Sequence, residues 1–217
     1  MPAETKPPLR RDAQRNRERI LVATRQAFQE RGLDVGVDEI ARRAGIGMGT
    51  LYRHFPTKDA LIDAIVQVRF DELTTFAEQA LAAPDAWEGF AGFLVAAADM
   101  QAADRGFKDA LAARRRDELE VKLARGRLHA AVAALVQRGQ DEGALRADLT
   151  GEDVIVLLWA TGRIVERTAE TAPGQVRRFL ALHLAGLRPE AAAAGQPTDV
   201  PALSARQLRR AMAPRAR

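Results

Sequence analysis

The sequence predicts an all-α protein: a short N-terminal three-helix domain followed by a longer helical body. Three observations predict it. Apolar residues recur at the spacing of one helix face through almost every segment from Ile20 to Leu187. No segment alternates apolar and polar residues as a half-buried strand would. Residues 36–58 read as two short helices joined by a glycine turn, with hydrogen-bonding side chains on the second helix and a basic corner after it.

Composition narrows the class. The chain has 217 residues, of which 47% are hydrophobic and 5% aromatic, enough apolar material for a core. It has no cysteine, which excludes a disulfide scaffold, a thiolate metal site and a cysteine nucleophile, and fits a reducing cytoplasmic setting. No apolar run approaches the roughly 20 residues needed to cross a bilayer, and the N-terminus lacks the apolar stretch of a secretion signal. No membrane association is expected.

Charge is distributed unevenly. Residues 1–58 carry a net +5, residues 59–188 a net −4 and residues 189–217 a net +3. A basic head on an acidic body suits contact with phosphate at one end. Arginine outnumbers lysine 29 to 4, but the excess runs through the acidic body and so marks overall composition more than a binding face.

The elements follow in order. Residues 1–11 are proline-rich and charged and are expected to be disordered. Asp12 can cap a first helix to Arg31, with Ile20, Ala23, Ala27 and Phe28 as its apolar stripe and Gly32 as its stop. Arg10, Arg11, Arg15, Arg17 and Arg19 crowd its start, where the helix dipole disfavours cations, and phosphate contact would compensate. A second helix spans 37–44, with Asp38 and Glu39 in its first turn, Ile40 and Ala44 inward and Ala41 small enough for close packing. Gly45 can take the left-handed conformation of the turn, and Ile46 plugs back into the core. The third helix, 48–55, turns Leu51 and Phe55 inward and leaves Met48, Thr50, Arg53 and His54 outward or lateral. That is the shape and chemistry of a helix-turn-helix that enters the DNA major groove.

Pro56 or Thr57 opens a long fourth helix, 57–82, stopped by Pro84. Helices are then expected at 86–103, 105–113 and 116–142, the last ended by Gly143. Thr150 with Asp153 makes a capping-box start for 152–171. After Pro173, Val176, Phe179, Leu180, His183, Leu184 and Leu187 form the cleanest stripe in the chain. Residues 189–217 are basic and expected to be disordered, apart from a helical turn near 202–212. The domain boundaries are thus 12–58 and 59–188.

Residues 13–61 resemble the DNA-binding domain of TetR-family transcriptional regulators. The resemblance rests on Ile40-Ala41, Ala44-Gly45, Gly49-Thr50-Leu51-Tyr52-Arg53-His54-Phe55 and Pro56-Thr57-Lys58-Asp59-Ala60-Leu61, in order and spacing. It implies that Met48, Gly49 and Thr50 approach base edges, that Tyr52 and His54 contact phosphates, and that Lys58 binds phosphate with the free N–H groups of its helix. Gly47 and Gly49 would let the backbone come close to double-stranded DNA, and Arg53 would add affinity. Family members often carry Ser or Thr where this chain has Gly36 and Gly47, so those two caps lose a side-chain bond. Met48 offers apolar contact to a thymine methyl instead of a strong hydrogen bond.

Phe90-x-x-Phe93-Leu94 followed by residues 101–106 resembles the SbtR-like group of effector domains. The resemblance implies a ligand pocket for a small-molecule effector and a two-fold dimer face. Trp87, Phe90, Leu94, Phe107, Leu111, Leu128, Trp159 and Arg163 are the expected pocket residues. Arg163 interrupts an apolar helix, where burial without a partner is costly. Asp99, Glu166 or an anionic ligand could pair with it. Leu158, Gly162, Val176, Phe179, Leu180, His183, Leu184 and Leu187 are the expected homodimer face, assembling as a four-helix bundle. The implied function is a ligand-responsive repressor on a palindromic operator. The alternative is a ligand-independent, DNA-anchored protein-interaction module. No phosphate loop, nucleophile elbow or paired-carboxylate motif stands out, and His129 and His183 lack neighbours at metal-ligand spacing. Neither an enzyme, a metal nor a cofactor is expected.

Overall fold

The computed structural model describes residues 8–103, 119–194 and 200–211, and every regular element among them is helical. In chain order these are α1 (Pro8–Arg31), a 3-10 turn (Gly32–Asp34), α2 (Val37–Ala44), α3 (Met48–His54), α4 (Lys58–Leu81), α5 (Ala86–Ala103), α6 (Leu119–Asp141), α7 (Gly151–Thr168), α8 (Gln175–Gly186), α9 (Pro189–Ala194) and α10 (Ala205–Ala211). The segment expected at 105–113 lies outside the described residues.

Two ends depart from expectation. α1 begins at Pro8, so the arm through residue 11 is helical in its last turn. Proline suits a first helical position because its missing N–H would have no partner there in any case. The tail also carries order: α9 follows directly on Pro189, and α10 opens with Ser204, whose Oγ accepts from the Gln207 N–H while the Gln207 side chain accepts from the Ser204 N–H. Leu208 of α10 is 1% exposed. The helical turn expected near 202–212 is thus present as α10, held by a reciprocal cap and one buried leucine, whereas the short helix Pro189–Ala194 departs from the expected disorder.

The chain divides into two units between Val66 and Gln67, inside α4 and later than the expected boundary at residue 58. In the first, Ile20, Ala27 and Phe28 of α1 are buried, as are Ile40 of α2, Leu51 of α3, Phe55 and Leu61. Each large apolar side chain so buried contributes about 1.5–3 kcal/mol relative to exposure.

In the second unit, Phe90, Phe93 and Leu94 of α5, Leu128 and Val132 of α6, Val154 and Leu158 of α7 and Leu180 of α8 are buried. Gln101 of α5 donates to the Leu158 carbonyl at 3.1 Å, fixing α5 against α7. The start of α5 comes so close to the end of α4 that a Cβ on Gly89 would lie 2.4 Å from the Ala80 carbonyl oxygen. Arg138 of α6 closes this corner. Its guanidinium donates to the carbonyls of Leu81 at 2.9 Å and Pro84 at 3.3 Å, and pairs with Glu142 at 2.7 Å. It therefore serves the orphan carbonyls at the end of α4, where a cation is also favoured by the dipole. The expected capping box at Thr150 and Asp153 is present at the start of α7.

Candidate nucleic-acid interface

The first unit is organised around the α2–α3 pair. α2 starts at Gly36 without a side-chain cap, but Asp38 and Glu39 occupy its first turn. It ends at Gly45, whose φ of 63° is the left-handed conformation that a side chain would strain. The Ile46 N–H then reaches back to the Ala41 carbonyl at 3.1 Å, closing the helix end. Gly47 caps α3 with an extended backbone and no side-chain bond. Of these two glycines, only Gly45 has a backbone conformation that requires glycine.

Once Leu51 and Phe55 are buried, at 1% and 3% exposed, the opposite face of α3 must point outward. Met48 is 36% and Tyr52 45% exposed. Gly47, Gly49 and Arg53 are exposed, and Thr50, His54 and Lys58 are half-buried. Arg53 donates to the Thr50 hydroxyl at 3.3 Å, so the two share one ridge. A Cβ at Gly47 or Gly49 would meet nothing within 4 Å. Neither glycine has a positive φ. No contact inside the protein requires either residue to be glycine. The expected cap of α4 is in place: the Thr57 hydroxyl accepts from the Ala60 N–H at 3.0 Å, and Lys58 begins the helix.

Ion pairs hold α2 to its neighbours. Glu39 accepts from Arg42 and Arg43, and Arg43 also pairs with Glu30 of α1 at 2.7 Å. The hydrogen bonds from Arg42 and then Arg43 pull the Glu39 carboxyl down from 4.5 to about 2. The α1 arginines are partly absorbed by structure. Arg19 donates to the Gly45 carbonyl at 3.3 Å, and Arg17 lies over the Phe55 ring with its guanidinium carbon 4.9 Å from the centroid. Sequence spacing gave no sign of either contact, because each joins residues 26 or more positions apart.

The expected pocket residues that the structure describes differ widely in exposure. Phe90, Leu94 and Leu128 are buried together in the core of the helical body. Trp87 is half-buried, with Arg188 stacked over it at 3.6 Å from the ring centroid. Trp159 is 49% exposed. Arg163 is exposed and pairs with Glu166, while Asp99 pairs with Arg177. Trp159 and Arg163 share the arc of α7 opposite Val154, Leu158, Thr161 and Val165, which is why neither reaches the core. Phe107 and Leu111 lie outside the described residues.

The expected dimer face divides likewise. Leu158, Gly162, Val176 and Leu180 are buried within the protomer itself. Phe179, Leu184 and Leu187 are half-buried and His183 is exposed, with the His183 ring 3.8 Å from that of Phe179. Between α7 and α8 lies an open groove of about 290 Å³ lined by Val156, Leu157, Ala160, Phe179, His183 and Leu187, among others. Leu182, elsewhere on α8, is 64% exposed. Among the described residues no group of three or more acidic or histidine side chains could hold a metal ion, and no helix is long and apolar enough to cross a membrane.

Comparison with known proteins agrees with this arrangement. A family model described as bacterial regulatory proteins, tetR family, matches residues 20–65. A second, described as the C-terminal domain of SbtR-like transcriptional regulators, matches residues 83–189. A TetR regulatory protein of Mycobacterium vanbaalenii is 36% identical in sequence, with a TM-score of 0.65 over 83% of this chain and 99% of that one. A TetR regulator of Streptomyces coelicolor is 32% identical, with a TM-score of 0.63 over 80% of this chain and 98% of that one. A helix-turn-helix transcriptional regulator of Staphylococcus aureus is 40% identical over 72 residues, 33% of this chain. The match spans only 39% of that relative's own length.

Proposed function

Given that this chain belongs to the TetR family of bacterial regulatory proteins, we propose that it is a cytoplasmic, homodimeric repressor that binds a palindromic operator and is released by a small-molecule effector. The observation that carries the DNA-binding part is the outward face of α3. Met48, Gly49, Thr50, Tyr52 and Arg53 project there, and its glycines answer to nothing inside the protein. A bare backbone at the start of a helix suits close approach to base edges. Tyr52, His54 and Lys58 lie where they can donate to phosphates and fix the register. Direct reading of bases then falls to Met48, Gly49 and Thr50, a thin set, so half-site spacing and DNA shape carry part of the specificity.

The apolar groove between α7 and α8 supports dimerisation, because a single protomer leaves Phe179 and Ala160 only half-buried there, and Leu182 of α8 is exposed as well. Two protomers so joined hold their recognition helices at a set separation. An effector with higher affinity for a different separation lowers operator affinity, and by linkage the operator lowers effector affinity by the same factor. Phe90, Leu94 and Leu128 are closed to solvent, so an effector that reaches them enters through a motion of the body.

The test is a genomic footprint of the purified protein, repeated in the presence of candidate metabolites. Protection of near-palindromic sites that one metabolite abolishes is the expected result. Protection that no metabolite alters would favour the ligand-independent interaction module. No protected site at all would remove the DNA-binding reading.

A further inference from the structure

Arg17 sits in the third turn of α1, three residues before the segment that matches the family's DNA-binding model. Its guanidinium lies over the face of Phe55, the residue that caps α3, at 4.9 Å from the ring centroid. Nη1 is shut off from solvent and has no hydrogen-bond partner. Among the described residues no carboxylate or carbonyl bonds to any part of this side chain.

That is an unusual state for an arginine. A ring face attracts a cation through its quadrupole but accepts no well-directed N–H bond. A buried donor without an acceptor is a cost that folded proteins generally avoid. The neighbouring arginines of the first unit are not in this state. Arg19 has the Gly45 carbonyl, Arg42 has Glu39, and Arg43 has both Glu39 and Glu30. Arg17 alone among these four has a buried donor, Nη1, without an acceptor, while the residue as a whole is half-buried.

Its location gives that charge a use. Phe55 is flanked by His54 and, three residues on, by Lys58 at the start of α4. The stacking contact brings a residue of α1 to this α3–α4 corner, 38 positions away in sequence. Packing on the ring holds the guanidinium plane, so little rotamer freedom remains to be lost when an acceptor arrives. The N–H groups that are not sealed against the ring are free to donate. A planar fork of donors set against Phe55, whose neighbours in the chain include two other candidate phosphate contacts, matches a phosphodiester oxygen pair.

The geometry points to Arg17 as a phosphate-binding residue that completes the corner made by His54 and Lys58, with Phe55 as the platform that orients it. This rests on the reading of α3 as a DNA-binding helix. Arg17 adds affinity to any duplex and carries no base preference, because phosphate is the same at every step.

The experiment uses the full chain with a duplex recovered by selection from a random pool, and a scrambled duplex of equal length. Affinity is measured across a salt series for wild type, Arg17→Met and Arg17→Lys, with thermal melts alongside. Arg17→Met is expected to weaken binding to both duplexes about ten-fold. Its slope of log affinity against log salt should be shallower by about one per bound protomer. Its melting temperature should equal or exceed that of wild type, since the unpaired donor is gone. Arg17→Lys is expected to keep the slope and lose affinity several-fold, since it loses the stacked fork. Unchanged affinity and slope in Arg17→Met would overturn the assignment. So would weaker binding at an unchanged slope, which marks Arg17 as a packing brace for α3. If Arg17→Met does not fold, Arg17→Lys decides: wild-type affinity in it overturns the oriented-fork assignment. Wild-type protein that binds neither duplex overturns the DNA-binding reading itself, and Arg17's role with it.

Discussion

Arg43 of α2 donates to Glu30 of α1 at 2.7 Å, and through its Nε to Glu39 of its own helix at 2.8 Å. One guanidinium therefore braces α2 internally and ties it to the helix beneath. Arg42 adds a second donor to Glu39 at 3.0 Å. Position in α2 thus depends on one carboxylate that must stay ionised, alongside the apolar contacts of Ile40, Ala41 and Ala44.

That dependence sets a pH window. Hydrogen bonds from Arg42 and Arg43 hold the Glu39 carboxyl at about 2, against 4.5 when unperturbed. A carboxyl whose folded value is lowered stabilises fully above the unfolded value and loses that contribution as pH falls through the folded one. Urea midpoints measured from pH 7 to 2 should therefore show Glu39→Gln below wild type at neutral pH, with the gap closing between about pH 4.5 and 2. A gap that persists unchanged down to pH 2 would assign the loss to something other than the charge.

Gly49 separates stability from binding. It lies in α3 with no internal atom near its missing Cβ and with an ordinary helical φ. Gly49→Ala should leave the fold intact and raise stability by about 0.5–1 kcal/mol, the usual gain for alanine in a helix. If the bare backbone approaches base edges, the same methyl weakens operator binding. A more stable variant with weaker binding is the expected pair of results, read by thermal melting and by titration with the selected duplex. Full operator affinity in Gly49→Ala would remove this residue from the interface.

The corner at the end of α4 should be sensitive to Arg138. Removing its guanidinium leaves the Leu81 and Pro84 carbonyls without their partner and strips Glu142 of its counter-ion. Arg138→Met keeps much of the stem volume and should cost about 1–3 kcal/mol, with a melting temperature lower by about 2–4 °C per kcal/mol in a chain of this size. Calorimetry checks it. A melt identical to wild type would mean that water replaces the guanidinium without loss.

The sequence was most legible where a local rule settles the outcome. Gly45 and Gly143 have the positive φ expected of helix stops, Thr150 and Asp153 form their box, and Leu51 and Phe55 face inward because a seven-residue helix has only one side to bury. It was least legible where burial depends on which arc of a helix meets a neighbour. Arg163 looked like the cation buried among apolar residues of α7, yet it points to solvent. Arg69 of α4, between Val68 and Phe70, is the arginine enclosed at 2% exposure, and it pairs with Glu72. Both sit in apolar surroundings in sequence, and only the packing of other helices distinguishes them. The contact of Arg17 with Phe55 was hidden for the same reason: no periodicity links positions so far apart.

The stripe on α8 raises the same difficulty and offers the sharpest separation of variants. Val176 and Leu180, at 3% and 1% exposed, are spent on the protomer's own core, while Leu182, one turn on from Phe179, stands 64% exposed. Leu180→Ala should then cost about 2–5 kcal/mol of stability, as for a buried leucine. Leu182→Asp should change protomer stability by no more than about 0.5 kcal/mol, because little is buried there to lose. If two copies meet over the exposed face of α8 that carries Leu182, Leu182→Asp places a charge in that contact and shifts sedimentation at micromolar concentration from dimer toward monomer. Operator affinity should fall with it, by up to about 10²–10⁴-fold, since two linked half-site contacts become independent ones. A Leu182→Asp protein that sediments as wild type and binds its operator with full affinity would place the dimer face elsewhere on the body.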